Sequence, residues 1–203
     1  MIENLEELVK IIPEIETRRT VLKRYKTGDG KKFYRIIEEN RTRMIDSFPV
    51  MLSNTHDEIS AEYYVRKKIE EWDEQSAFNF GIWLKDGGSY IGHISIKNID
   101  WVIPRGEIAY VISGEYEGKG IMTEALKAVI KFSFESLCMK RLFLRVMTNN
   151  NRSFKLAERC GFIREGTLRK DHKTYEGKLV DLYYYGMTLE DYKESFDNST
   201  RQR

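Results

Sequence analysis

Cysteine, proline, one-sided charge and long apolar runs are all scarce in this chain, and each shortage excludes something. The 203 residues include 2 cysteines, Cys138 and Cys160, too few for the disulfide framework of a small secreted domain. Each falls in a different expected helical region, both are expected to be buried, and neither is given a nucleophilic role. The 3 prolines and 14 glycines nowhere gather into a linker, so one domain around one core is expected. Lys and Arg total 34 against 32 Asp and Glu, a formal charge of +2. The basic runs are interleaved with acids, so a nucleic-acid partner is not expected. No segment approaches the length of a membrane helix, and Glu3, Glu6, Glu7 and Lys10 interrupt the first fifteen residues, leaving no signal segment. No membrane partner and a reducing, cytoplasmic location follow as expectations. No internal repeat or low-complexity segment is evident.

What is present is organised around Gly106 to Leu126, GEIAYVISGEYEGKGIMTEAL. The run Ile108-Ala109-Tyr110-Val111-Ile112 is β-branched and aromatic and reads as a strand. The chain then breaks at Ser113-Gly114, passes through Glu117-Gly118-Lys119-Gly120, and turns helical from Thr123. Glycines at such a turn allow a close backbone approach. The first amides of the following helix lack intrahelical partners and carry the positive end of its dipole. A phosphate or pyrophosphate is the natural guest of that arrangement. By itself the loop fits neither Gly-x-Gly-x-x-Gly nor the Gly-Lys-Ser/Thr ending of a P-loop.

Downstream, after a further strand from Arg141 to Met147, come Asn150-Asn151-Arg152-Ser153 and, eight residues beyond the serine, Gly161-Phe162. With these in place the chain resembles the GNAT superfamily of acetyl-CoA-dependent N-acetyltransferases over roughly Ile15 to Leu189. That family's pyrophosphate loop, Gln/Arg-x-x-Gly-x-Gly/Ala, aligns with Glu117-Gly118-Lys119-Gly120-Ile121-Met122. Its Asn-x-x-Ser and Gly-Phe signature aligns with Asn150, Ser153, Gly161 and Phe162. The surrounding wording (GKGIMTEAL, GFIREGTLR, VDLYYYGMT) looks most like the branch that acetylates the N-terminal amine of ribosomal proteins. Two positions depart from the pattern. Glu117 stands where Gln or Arg is usual, placing a carboxylate beside the phosphates unless it points to solvent or Lys119 offsets it. Met122 stands where the residue is small, which is tolerable if its side chain turns into the core.

The resemblance implies an α/β (α+β) fold, a mixed and mostly antiparallel sheet of about six to seven strands flanked by helices. The pattern divides the chain into an N-terminal helical extension over 1–15, a single acetyltransferase domain over 16–196 and a disordered tail over 197–203. In the extension, residues 2–12 place Leu5, Leu8, Val9 and Ile12 on one helix face, ended by Pro13. That face either packs on the domain or forms a homodimer contact. A first strand is expected from Thr17, then helices from about Lys31 to Arg43 and from Glu58 to Trp72. In the resembled family these line the acceptor groove, so Tyr63, Tyr64 and Trp72 either meet substrate or serve the core. A hairpin of Phe78–Leu84 and Tyr90–Ile99 turns at Asp86-Gly87-Gly88. With the strand at 107–113 it makes three consecutive antiparallel strands. A helix over about 121–137 should carry the chain by a right-handed crossover to a parallel strand at 141–147. A helix over 152–160 closes at Gly161. Two last strands, Phe162–Leu168 and Val180–Met187, are separated by a polar stretch from Arg169 to Lys178, and a short helix follows over 189–196.

Acetyl transfer from a thioester to an amine needs a neutral amine, a polarised carbonyl and a proton for the departing sulfur. The resemblance implies direct attack with no acyl-enzyme and no metal. It also implies that two central strands part so that the pantetheine arm pairs with the backbone of Tyr110, Val111, Ile112 and Ser113 like an added strand. An exposed amide there can polarise the thioester oxygen. The pyrophosphate would lie on Glu117, Gly118, Lys119, Gly120, Ile121, Met122 and Thr123. Asn150 matches a residue that holds the pantetheine arm, and Ser153 one that can protonate the leaving thiolate. Both are equally ordinary as helix caps. The tyrosine that many relatives carry four residues before the glycine of Gly-Phe is Ala157 here, which moves the acid role to Ser153 or water. Two residues compete for the base: Glu107, on the strand face shared with Ala109 and Val111, and His172, a residue type that titrates near neutrality.

The leading function is therefore acetylation of a primary amine, the N-terminal amine of a ribosomal or other protein or peptide. A polyamine or antibiotic amine is the second reading, for which Glu70, Glu71, Asp73 and Glu74 would supply an acidic attraction. A non-catalytic module that binds acetyl-CoA is the third, motivated by Glu117 and Met122.

Overall fold

The computed structural model describes residues 12–200. Its centre is an eight-stranded sheet with the order β1-β2-β3-β4-β5-β6-β8-β7. The strands are β1 (Glu14–Glu16), β2 (Thr20–Arg24), β3 (Phe78–Leu84), β4 (Tyr90–Asp100), β5 (Arg105–Ile112), β6 (Arg141–Met147), β7 (Ile163–Lys173) and β8 (Leu179–Thr188). Among the described residues seven α-helices surround it: α1 (Gly30–Glu39), α2 (Arg41–Met44), α3 (Pro49–Ser53), α4 (Glu58–Asp73), α5 (Ile121–Glu135), α6 (Asn151–Arg159) and α7 (Leu189–Thr200). Every neighbouring pair is antiparallel except β5 with β6. The connection through α5 makes that pair parallel, as a helical crossover should.

The strand count exceeds the expected six to seven because β1, only three residues long, adds itself to the edge by pairing Ile15 with Leu22. The sheet thus begins at Glu14, inside the span read as an extension. The helix expected over 2–12 lies outside the described residues. Several other boundaries move. The single helix expected from Lys31 to Arg43 breaks at Asn40, whose side-chain amide donates to the Ile36 carbonyl (2.8 Å). The polar stretch 169–178 is mostly strand: its hydrophilic residues suit an exposed edge ribbon, and β7 and β8 pair as far as Lys173 and Leu179. The last helix continues to Thr200, past the expected start of the tail, and residues 201–203 lie outside the described residues. Cys138 is exposed, in the turn after α5 and at φ +54°, whereas Cys160 is buried as expected.

Alternation along the strands gives the sheet two different faces. Ile94, Ile96, Ile108 and Ile112 enter the main core with Leu126, Val129, Ile130, Leu156 and Ala157 of α5 and α6. Trp72, Phe78, Phe80 and Phe132 lock that core edge to face, with centroids 4.8 to 5.9 Å apart, each pair adding about 0.5–1.5 kcal/mol to simple burial. Met122 is among these core residues at 8% exposure, so its size is absorbed beneath the helix. A second cluster (Tyr25, Phe33, Ile36, Ile37, Met44, Leu52, Ala61, Val65, Tyr90) holds α1 to α4 over the other face.

Candidate active site

β5 and β6 are paired only from Arg105 to Glu107 against Arg141 to Phe143. Beyond that point β5 stays bonded to β4 through Ile112, and β6 to β8 through Met147. Each strand is held on its far side, so the two diverge and leave facing edges over Ile108–Ile112 without a strand partner. A chain with amides of its own can add to such an edge. The gap expected at Tyr110 to Ser113 is therefore present, although the Ser113 amide already donates to the Ile91 carbonyl (2.8 Å).

At the mouth of the gap a short 3₁₀ turn, Gly114–Tyr116, leads into the glycine loop. Gly118 and Gly120 sit at φ +70° and +75°, the left-handed region where a side chain is strained. Gly120 is the N-cap of α5 and brings no capping side chain. The amides at the start of a 15-residue helix are therefore left for an outside acceptor. These features fit a diphosphate. Lys119 turns its ammonium over the Tyr116 ring (5.3 Å) and does not offset Glu117. Glu117 instead receives Arg43 on one carboxylate oxygen and Arg152 on the other.

From the gap a cleft of about 770 Å³ runs beneath α3 and α4, with Tyr110, Asn150, Ser153, Met51, Tyr63, Tyr64, Glu107, Arg145 and His172 on its walls. Asn150 caps α6: its Oδ1 accepts from the Ser153 amide (3.1 Å), leaving the amide nitrogen of the same side chain without a hydrogen bond among the described residues. Ser153 Oγ lies 3.0 Å from the Tyr110 hydroxyl, which also donates to the Ser153 carbonyl. Burial raises the Tyr110 hydroxyl well above its ordinary pKa, so it stays protonated. A tyrosine thus stands at Ser153 after all, supplied by β5 rather than by position 157. Its place on the strand was read for backbone pairing alone, and no local motif announces the contact across 43 residues.

The two base candidates differ. Glu107 is buried and bidentate to Arg145 (3.0 and 3.1 Å), accepts from Asn98 (2.6 Å) and has Lys97 at 4.0 Å. Its oxygens are already engaged. His172 lies on β7, not in a loop. Its Nε2–H donates to the Asp46 carbonyl, which leaves Nδ1 as the basic nitrogen. Tyr175 N–H donates to Asp46 Oδ1 (3.3 Å), so the β7–β8 ribbon is pinned to the loop before α3.

Of the aromatics, Tyr63 and Tyr64 line the cleft while Trp72 belongs to the core. The acidic cluster does not line the cleft. Glu71 holds Lys68 and Asn79, and Asp73 holds Arg24. The charged lining is Lys67, Lys68, Lys97 and Arg145 against Glu107 and Asp171. Unread in the sequence was a buried trio on the cleft side, Tyr25, Tyr90 and His93. Tyr25 Oη lies 2.8 Å from His93 Nδ1 and 2.9 Å from the Tyr90 hydroxyl.

The parted strands, the uncapped glycine loop and the Asn-x-x-Ser helix start together define an acetyl-CoA-dependent N-acetyltransferase, and the chain belongs to the GNAT family. The model of the acetyltransferase (GNAT) domain matches residues 19–163. Among sequence relatives, the chain is 38% identical over 130 residues to YdaF of Bacillus subtilis (strain 168), which carries the provisional name of a ribosomal N-acetyltransferase. That match covers 63% of this chain and 70% of YdaF. It is 32% identical over 130 residues to the ribosomal protein uS5-alanine N-acetyltransferase of Escherichia coli (strain K12), covering 61% of this chain and 64% of that enzyme. In fold it is similar to RimL, a ribosomal L7/L12 alpha-N-protein acetyltransferase solved with coenzyme A. There the TM-score is 0.80 at 16% identity over 88% of this chain and 99% of that one.

Proposed function

We propose that the enzyme acetylates the α-amine at the N-terminus of a protein or peptide, a ribosomal protein in the leading case, and that it does so in the cytoplasm. Acetyl-CoA supplies the activated acetyl group as a thioester. The observation that carries the acceptor reading is the character of the cleft. Its charged lining carries four cations against two carboxylates, Glu107 and Asp171, both of which are already paired with Arg145, an environment that gives a polyamine or aminoglycoside little to bind. Its wall presents the exposed apolar surfaces of Val50 and Tyr63, which suit the first side chains of a peptide. The names borne by YdaF and the uS5 enzyme point the same way.

In this reading the amides of 118–123 hold the diphosphate and the open edge of Tyr110 to Ser113 pairs with the pantetheine arm. The side-chain nitrogen of Asn150 bonds that arm. Ser153 Oγ delivers its proton to the departing sulfur and takes one back from water, while the Tyr110 hydroxyl, which donates to the Ser153 carbonyl, holds the serine in place. Protons leave the acceptor ammonium through His172 Nδ1, directly or by one water, because Glu107 is committed to Arg145, Asn98 and Lys97. Glu107 then serves as the anchor that keeps Arg145 on the cleft wall. The catalytic unit is the single domain from 16 to 196, extended at its front by β1.

The test is acetyl-CoA turnover against peptides beginning with Ala, Ser or Met, against spermidine and against an aminoglycoside. Peptide kcat/KM should exceed that for either polycation by roughly a hundredfold, since like charge in a confined site costs several kcal/mol. Preferential spermidine turnover would remove the peptide reading, and no turnover of any amine with acetyl-CoA bound would return the non-catalytic one.

A further inference from the structure

The pairing of Glu117 is unexplained by any role so far assigned to the loop. Glu117 follows β5 and Arg152 lies in the first turn of α6, which follows β6, so their ion pair joins the two lips of the gap that the pantetheine arm must pass. Arg43 reaches the same carboxylate from α2. It is steadied by Asn40, whose Oδ1 accepts from Arg43 Nη1 (2.5 Å) and from the Gly114 amide (2.9 Å). Two guanidinium groups from separate helices therefore converge on one carboxylate beside a set of helix-start amides.

We infer that Glu117 is an internal stand-in for the cofactor's diphosphate, and that Arg43 and Arg152 transfer from its carboxylate to the phosphates when acetyl-CoA binds. This inference rests on the reading of 117–123 as the diphosphate loop. Two arginines and one glutamate leave the lips with a single net positive charge. Once Glu117 swings aside, two face a diphosphate that carries two negative charges. Guanidinium matches phosphate as well as carboxylate, with two parallel N–H donors in one plane. The exchange is cheap because the pairs are superficial. Side-chain exposures are 39% for Arg43, 26% for Glu117 and 81% for Arg152, and pairs at such positions hold weakly. A Glu117 carboxylate that stayed in place would instead repel the phosphates across a few ångströms. The device explains why an acidic residue is tolerated where the family carries Gln or Arg: in the free enzyme it ties the two lips together across the gap and holds the arginines beside the loop.

Calorimetry on the parent, Glu117→Gln, Arg152→Gln, Arg43→Gln and the double variant Glu117→Gln/Arg152→Gln tests this with three probes. These are acetyl-CoA, its 3′-dephospho analogue and S-acetylpantetheine, which has no phosphate. Glu117→Gln should tighten acetyl-CoA about three- to tenfold, the range expected when one screened repulsion is removed. The gain should persist with the 3′-dephospho analogue and vanish with S-acetylpantetheine. Arg43→Gln and Arg152→Gln should each weaken acetyl-CoA roughly fivefold or more, and the Arg152 loss should survive in the double variant. An arginine that merely neutralises Glu117 gives a double variant that binds like Glu117→Gln, which overturns the inference. A gain confined to the 3′-phosphorylated cofactor also overturns it. A parent that fails to bind acetyl-CoA takes down the loop assignment together with this inference. A parent that binds while all variants stay within twofold sinks the inference alone.

Discussion

The cofactor side and the acceptor side of the cleft are built on different principles. On the cofactor side the groups offered are largely backbone: the open edge of β5 after Glu107 and the amides that begin α5. Backbone groups are indifferent to side-chain identity, so Glu117 and Met122 can depart from the family pattern without dismantling the site. On the acceptor side the groups assigned a role are side chains, on a wall gathered from α3, α4, β4, β5, β6 and β7. There one substitution changes the chemistry while leaving the fold intact. A shared cofactor with divergent acceptors is the natural outcome of that division.

The largest effect expected is on the backbone side. Gly120→Asp adds a side chain at φ +75° and a negative charge where phosphates approach. Acetyl-CoA affinity should fall roughly a hundredfold or more, as expected for strain of 1–3 kcal/mol combined with like-charge repulsion. Titration calorimetry that found parental affinity would erase the contrast between the two sides.

Proton transfer to sulfur sharpens the contrast, because it depends on side chains inside the cofactor half. Ser153→Ala should lower kcat roughly ten- to a thousandfold with little change in acetyl-CoA affinity. If the Tyr110 hydroxyl holds Ser153 in place, then Tyr110→Phe should also lower kcat, and the double variant should be no slower than Ser153→Ala, since groups acting as a unit are not additive. Multiplicative losses would separate the two hydroxyls. A lowered melting temperature with unchanged kcat in Ser153→Ala would reduce that residue to part of the helix start.

The smallest effect concerns the polar floor on the acceptor side and is read in stability rather than turnover. Burial, then the charges of Lys68 and Lys97, depress His93 from 6.5 to about 3. It is therefore neutral in the fold and takes up a proton on unfolding. Its contribution is complete above pH 6.5 and is lost as the pH falls toward 3, at about 1.4 kcal/mol per pH unit within that window. Melting curves of the parent and His93→Gln between about pH 7 and about pH 4.5 should show the parent losing stability more steeply, by roughly one proton. Equal slopes would mean that His93 does not titrate on unfolding.

What the sequence determined by itself was everything carried by local backbone requirements. The run from Ile108 to Ile112, the glycines at 118 and 120, the apolar period of α5 and the Asn-x-x-Ser start of α6 declare strand, loop and helix within a few residues of one another. Those few elements suffice to name the fold and the cofactor. Boundaries failed where a local signal was weak or overruled. The polarity of 169–178 suits a loop and an exposed edge ribbon equally, and only pairing with β8 decides between them. The helix from Lys31 breaks at Asn40 because that side chain is needed by Arg43 and Gly114.

What only the tertiary structure decided is the company each reactive group keeps. Glu107, a free carboxylate on paper, meets Arg145 from 38 residues away. Tyr110 meets Ser153 from 43 away, and Glu117 meets Arg43 from 74 away. A charge or hydroxyl is catalytic, structural or a stand-in according to its partners. Those partners arrive through the crossover of α5, which the pattern announced, and through the divergence of β5 from β6 and the placement of α2, which leave no mark in the spacing of residues along the chain.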